Sequence, residues 1–308
     1  MFEENKQRNL GLSVFILKLI AVVTMLIDHV GCFIGEWSLA PFSIINLMRA
    51  VGRISFPIFA FMIVNGWNHT HDREKYFTNM VLFAVISHIP FTLAFYPVNN
   101  MRLTSGEASF AIAPLTLTSI LSYSVFIVFG VAVFYFLVLR KKKELSIVFL
   151  GISLVFALPY IKVFNVWILS DNLNVFYTLA SGIYAIYCWE FVTAKKHRIY
   201  EYVVLLPLVL FFYFCRPVFG VFGTLLILVL HICKDRRLQC LAIVLYGIGF
   251  YGIQLNNWSN AATTALAAVL VFFYNERKGK DCKAFFYSFY PAHLVIIGFM
   301  NIYMRLFA

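Results

Sequence analysis

Long apolar segments separated by short charged ones follow one another along almost the whole chain. The first, from Leu12 to Ile34, exceeds the about 20 residues needed to cross a hydrocarbon core of roughly 30 Å. It is too long for the apolar part of a cleavable signal peptide, so we expect it to remain as a membrane anchor. Only 13% of the residues are charged, against about 25% in ordinary soluble domains. Because a soluble fold of this size cannot hide so much apolar surface, the sequence predicts a polytopic integral membrane protein.

The spacing of the apolar segments predicts an all-α bundle of about eleven transmembrane helices in a single domain, residues 1–308, with ten helices as the alternative. The predicted helices cover residues 13–34, 43–66, 76–96, 119–139, 145–161, 173–192, 201–214, 218–233, 238–255, 261–274 and 284–304.

The positive charges predict the orientation. The net charge of +11 is typical of nucleic-acid binders, but the charges lie in short clusters between apolar segments and not on one polar face. With the N-terminus in the cytoplasm, 18 of the 25 Lys and Arg residues fall in cytoplasmic segments and 4 in outer segments. We therefore expect a multi-pass protein of the inner (plasma) membrane, whose partner is the lipid bilayer and not nucleic acid.

The six cysteines form no Cys-x-x-Cys pair and share no zinc-type spacing with histidines. The sequence therefore predicts neither a disulfide framework nor a metal site.

Ionisable residues at membrane depth mark the candidate site, since each is costly there and usually faces a cavity or a partner. The first helix carries Lys18, Asp28 and His29, and the second carries Arg49 and Arg53. At about 1.5 Å of rise per residue, His29, Arg49 and Arg53 overlap in depth with a histidine of the third helix, and we expect one site. Lys18 lies nearer the cytoplasm, and a further histidine lies on the last helix. The two histidines are His88 and His293.

Spacing separates the roles of Asp28 and His29. Adjacent residues on a helix point about 100° apart, so Asp28 is better placed to neutralise an arginine of the second helix than to orient His29. Two arginines against one aspartate leave excess positive charge, which favours an anionic or oxyanionic ligand. Each group also has a structural alternative. His88 or His293 could simply be hydrogen-bonded to a neighbouring helix, and Lys18 could extend to the lipid headgroups. The ion pair of Asp28 with an arginine could serve only to stabilise the fold.

Four segments resemble the TraX family: LKLIAVVTMLIDHVG (17–31), MRAVGRISFPIFAFMIVNGW (48–67), MVLFAVISHIPF (80–91) and FFYSFYPAHLVII (285–297). The resemblance resumes at 173–190, and residues at about 119–162 look like an insertion of two helices. The founding member of that family is associated with N-acetylation of conjugative pilin. Where the family pattern has an acidic or amide residue before Ile-Pro-Phe and an Asp after it, this chain has His88 and Thr92.

More distantly, the first helix is similar to transmembrane acyltransferases that modify envelope sugars, in which an arginine and a histidine lie eleven residues apart. Here Lys18 and His29 keep that spacing. The resemblance implies acyl transfer from cytoplasmic acetyl-CoA, as co-substrate and without a metal, to an amine or hydroxyl of a peptide, protein or glycan acceptor.

We therefore expect a membrane-embedded acyltransferase in which His29 is the general base and Arg53 and Asp28 complete the catalytic set. Lys18, Arg49, His88 and His293 are the candidate substrate- and donor-binding residues. The alternatives are a transporter of an anionic or peptide solute that uses the same polar cluster, and an assembly factor with a structural polar core.

Overall fold

The protein is described by a computed structural model at residues 11–95, 162–163, 166–167, 173–194, 218–280 and 282–307. Its helices are α1 (Val14–Glu36), α2 (Phe42–Gly52), α3 (Ser55–His69), α4 (Arg73–Phe95), α5 (Val175–Ala194), α6 (Gly220–Ile232), α7 (Arg236–Tyr246), a π-helix (Gly247–Gln254), α8 (Trp258–Phe272) and α9 (Lys283–Phe307). Two-residue strands, β1 (Lys162–Val163) and β2 (Val166–Trp167), pair antiparallel. The predicted helices 119–139, 145–161 and 201–214 and the body of the predicted insertion lie outside the described residues.

Four helical segments in the described part are long and apolar enough to cross a membrane: Val14–Glu36, Phe42–His69, Val175–Ala194 and Ala284–Met304. Gly220–Ile232 and Trp258–Phe272 are shorter apolar helices. Large apolar side chains such as Phe42 and Phe299 are 77% and 67% exposed, as expected of surfaces that lipid covers. These features confirm a helical membrane protein, whereas the predicted number of about eleven spans is not confirmed.

The chain divides into two compact units. The first contains Met1–His71, Leu93–Phe95 and Phe222–Ala308, and the second contains Asp72–Thr92 and Tyr96–Val221. The single domain that the sequence suggests stays a prediction.

In the first unit, α1 and α2 approach closely because α1 presents glycines to α2. A Cβ added at Gly31 would lie 2.8 Å from Met48 Cβ, and one at Gly35 would lie 3.1 Å from Ile45 Cγ2. These glycines are four residues apart, the spacing that lets two membrane helices bring their backbones together.

The predicted second helix, 43–66, is wrong as one continuous helix, because it breaks between α2 and α3. At the break the N–H groups of Arg53 and Ile54 bond to carbonyls three residues back, those of Ala50 and Val51. Pro57 contributes to the break, because it has no N–H to donate to the Arg53 carbonyl and stands in the first turn of α3, where that bond is not required. The break therefore places Arg53 at a helix junction.

The predicted helix 238–255 is also two elements, α7 and the π-helix. Small residues let the π-helix lie against α8: a Cβ at Gly247 would lie 3.1 Å from the Ala261 carbonyl oxygen, and one at Gly252 would lie 2.9 Å from the Trp258 ring. Single turns of π-helix frequently occur at functional sites.

The start of α1 is tied to the segment that precedes α9. Leu12 donates its backbone N–H to the Phe273 carbonyl at 2.8 Å, and Val14 donates to Arg277 at 2.8 Å. The Asn275 side chain donates to the Gly11 carbonyl at 2.7 Å. The two segments therefore lie on one side of the first unit.

In the second unit, α4 packs against α5. The Asn174 side chain, which is fully buried, donates to the Ala84 carbonyl at 2.8 Å. Phe83 meets Phe176 edge to face at 4.6 Å between ring centroids. At the other end of α4, Arg73 pairs with Glu190 at 2.7 Å.

Candidate functional site

Asp28 and two arginines form one charged cluster in the first unit, which we call the Asp28 cluster (Asp28, Arg49 and Arg53). The Asp28 Oδ1 accepts a hydrogen bond from Arg53 Nη2 and forms an ion pair with Arg49 Nη1 at 3.0 Å. Arg49 Nη1 also donates to the Asp28 backbone carbonyl at 3.4 Å. The Asp28 and Arg53 side chains are 14% and 12% exposed, whereas that of Arg49 is 37% exposed. One carboxylate thus faces two guanidinium groups, and the cluster carries one excess positive charge.

The helix break builds this cluster. Because the Arg53 N–H bonds to Ala50, the Arg49 carbonyl loses its usual helical donor, and the Arg53 Nε donates to it at 2.9 Å. That bond turns the rest of the guanidinium toward α1, where Asp28 lies. Gly52 makes room for the carboxylate, because a Cβ at this position would overlap the Asp28 side chain.

His29 pairs with the histidine of the last helix. The His29 Nδ1 lies 2.8 Å from the His293 Nε2, and the His293 Nδ1 lies 2.7 Å from the Phe289 carbonyl oxygen. His293 is 6% exposed and His29 is half-buried. We call these two residues the histidine pair (His29 and His293).

Aromatic rings surround the histidine pair. The Phe95 ring meets His29 edge to face at 4.9 Å, and the Tyr290 ring meets His293 at 5.5 Å. Asp28, which binds both arginines, directly precedes His29 in α1. The site therefore combines a pair of imidazoles, a wall of aromatic rings and a neighbouring cluster with excess positive charge.

Two tyrosines that the sequence did not single out lie beside the Asp28 cluster. The Arg53 guanidinium lies 5.8 Å from the centroid of the Tyr251 ring, and Tyr246 meets Tyr251 edge to face at 6.1 Å. Both tyrosines are buried, and so are their hydroxyl groups. The π-helix orients Tyr251, and a regular helical periodicity would not have predicted that orientation.

The remaining predicted residues lie elsewhere. Lys18 lies on α1, three helical turns before His29. Its Nζ is 5.8 Å from the centroid of the Phe286 ring on α9. His88 is buried in the second unit, where its ring contacts those of Phe91 and Tyr177. The structure brings Asp28, Arg49 and Arg53 together and His29 to His293, whereas the roles of Lys18 and His88 stay predictions.

Among the described residues, no group of three or more His, Cys, Asp or Glu side chains is arranged to hold a metal ion. Two histidines and one carboxylate that already binds two arginines are a poor ligand set for a divalent metal.

The apolar helices and the polar cluster between them are those of a helical membrane protein with a polar site between its helices. The family model of the TraX protein matches residues 13–164 and 154–301, so the chain belongs to the TraX family.

Two curated relatives match parts of the chain. A probable fimbrial assembly protein, FimC of serogroup H1 from Dichelobacter nodosus, is 30% identical over 116 residues, 34% of this chain and 45% of the relative. An uncharacterized protein of Rickettsia prowazekii (strain Madrid E) is 34% identical over 80 residues, 26% of this chain and 27% of the relative. The matched segments thus span less than half the length of each relative. No solved structure matches the chain.

Proposed function

We propose that this protein is a membrane-embedded acyltransferase of the inner membrane, which moves an acetyl group from acetyl-CoA to an amine or hydroxyl of an extracytoplasmic acceptor. Membership of the TraX family supports acyl transfer, and the name of the Dichelobacter nodosus relative favours a fimbrial or pilin-like acceptor. The observation that carries the proposal is the half-buried His29, held by His293 and directly following Asp28, which binds two arginines.

The side chains match the needs of acyl transfer. His29 takes the proton from the acceptor amine or hydroxyl as its nitrogen or oxygen bonds to the thioester carbon. The carbonyl oxygen gains negative charge, which the excess positive charge of the Asp28 cluster stabilises. When the carbon–sulfur bond breaks, the CoA thiolate takes the proton back from His29, and the enzyme returns to its starting state.

Asp28 has a supporting part in this scheme. Its carboxylate holds both guanidinium groups but cancels only one of their charges. Arg53 is thereby fixed in place, and Arg49, which is the more exposed of the two arginines, remains able to meet the oxyanion or a donor phosphate.

The test is acetyl transfer by the purified protein in lipid nanodiscs. Radiolabelled acetyl-CoA is incubated with envelope proteins from cells that lack the gene, and acetylated product is counted. We expect His29→Ala to lower the rate by about 10²- to 10⁴-fold, the usual effect of losing a general base, while acetyl-CoA binding measured by calorimetry stays close to that of the wild type.

The matched control is His69→Ala, at the exposed end of α3 in the same unit. It should keep full activity. Wild-type rates in His29→Ala would contradict the mechanism. Solute flux without any acetylated product would instead support a transporter.

A further inference from the structure

The two imidazoles of the histidine pair meet edge to edge. Their rings are 14° from parallel with centroids 5.1 Å apart, while the two facing nitrogens are 2.8 Å apart. Two stacked rings cannot bring atoms closer than the van der Waals separation of about 3.5 Å. The contact is therefore a hydrogen bond nearly in the plane of both rings, the direction in which an imidazole N–H and lone pair point.

The Phe289 carbonyl determines the direction of that hydrogen bond. A carbonyl oxygen can only accept, so the His293 Nδ1 carries the hydrogen of the 2.7 Å bond. In a neutral imidazole the other nitrogen is then an acceptor, so the His293 Nε2 accepts from the His29 Nδ1–H. The His29 Nε2 is left with its lone pair, and no described residue is hydrogen-bonded to it.

We propose that His293 is a positioning residue that holds His29 in the one neutral tautomer whose Nε2 can take a proton. This inference rests on the proposed acyl transfer. As the acceptor's proton arrives on Nε2, the charge on His29 is stabilised through its Nδ1–H by His293, which itself donates to the Phe289 carbonyl. A carboxylate has this part in serine hydrolases, and here an imidazole anchored on a backbone carbonyl supplies it.

His293 makes two hydrogen bonds, one through Nε2 to His29 and one through Nδ1 to the Phe289 carbonyl. Glutamine and asparagine differ in length by one methylene, so substituting each of them for His293 can separate the two bonds. His293→Gln places a carbonyl oxygen close to the position of Nε2, where it can still accept from His29. His293→Asn reaches only to the position of Nδ1 and can bond to the Phe289 carbonyl but not to His29. His293→Leu removes both interactions.

We expect His293→Asn and His293→Leu to lower kcat by about 10- to 100-fold, as losses of orienting partners do, with little change in KM for acetyl-CoA. His293→Gln should recover much of the loss. Equal rates in the Gln and Asn variants, or a loss that appears in KM alone, would overturn the positioning role.

A second measurement does not depend on activity. Nitrogen NMR of labelled histidine in nanodiscs distinguishes protonated from unprotonated ring nitrogens. In the wild type, His29 should show a protonated Nδ1 and an unprotonated Nε2, and His293→Leu should show a mixture of tautomers. An unchanged tautomer in His293→Leu would refute the inference even if the protein transfers acetyl groups, and the expected change would support it even if no acetyl transfer is found.

Discussion

At the scale of single residues, the two arginines of the Asp28 cluster differ in how strongly they depend on the carboxylate. Arg53 is 12% exposed and is bonded to both Asp28 and the Arg49 carbonyl, whereas Arg49 is 37% exposed. A buried charge that loses its partner costs several kcal/mol, while a partly exposed ion pair contributes little because solvent screens it. We therefore expect the Asp28–Arg53 contact to contribute most of the stabilisation that the Asp28 cluster gives to the folded protein.

Double-mutant cycles test this difference. With Asp28→Asn combined with Arg53→Gln, we expect a coupling energy of about 1–3 kcal/mol in unfolding measurements in detergent. The same cycle with Arg49→Gln should give less than about 1 kcal/mol. Equal coupling for both arginines would show that exposure does not separate them, and no coupling at all would mean that the carboxylate does not contact them.

At the scale of elements, the site depends on how closely the break between α2 and α3 approaches α1. Gly31 and Gly35 bring the two helices together, and Gly52 leaves space for the Asp28 side chain at the break. Pro57 ends the regular hydrogen bonding, and Arg53 then uses its own side chain to satisfy the carbonyl left behind. The break between α2 and α3 thus also positions the guanidinium group of Arg53.

We therefore expect Gly52→Ala to displace the Asp28 carboxylate and to destabilise the protein by about 1–3 kcal/mol, the usual cost of overpacking. Acetyl transfer should fall as well, because Arg53 loses its partner. The matched control is Gly249→Ala on the π-helix, where the added Cβ would meet the Phe222 ring at an ordinary 3.6 Å. A thermal-shift assay that found both variants equally stable would contradict the role of Gly52.

At the scale of the whole molecule, the structure adds a constraint on topology. Hydrogen bonds join residues 11–15 to residues 273–278, so the start of α1 and the segment before α9 lie on the same side of the membrane. An even number of crossings must separate them. The positive-inside pattern, with ten predicted helices between these segments, has the same parity and predicts that both lie in the cytoplasm.

Cysteine labelling tests the orientation. In a variant without native cysteines, Lys278→Cys should react with a membrane-impermeant maleimide in inside-out vesicles, because this side chain is exposed. Ser105→Cys should react in right-side-out vesicles, since the sequence places residues 97–118 outside. The opposite pattern for both positions would reverse the predicted orientation, and labelling of both from one side would refute the span count between them.

The amino-acid sequence by itself determined the class of protein and most of the helices. Apolar length and loop charge are local properties, so eight predicted helices, from 13–34 to 284–304, overlap described helices. Two of them, 43–66 and 238–255, each cover two described elements. The Asp28 cluster was also predictable, because charges at membrane depth need partners and the first two helices supply both signs. Pro57 and the glycines of 247–252 were visible signals of the two helix irregularities, but an apolar run does not reveal which irregularity follows.

Only the tertiary structure decided which distant groups meet. His293 lies 264 residues after His29, and nothing local to either residue distinguishes it from His88, which folds into the other unit. Tyr251 reaches Arg53 because the π-helix changes the direction of its side chain. Helix formation follows from neighbours along the chain, whereas these contacts depend on how side chains of separate helices fit together, and the sequence pattern does not contain that information.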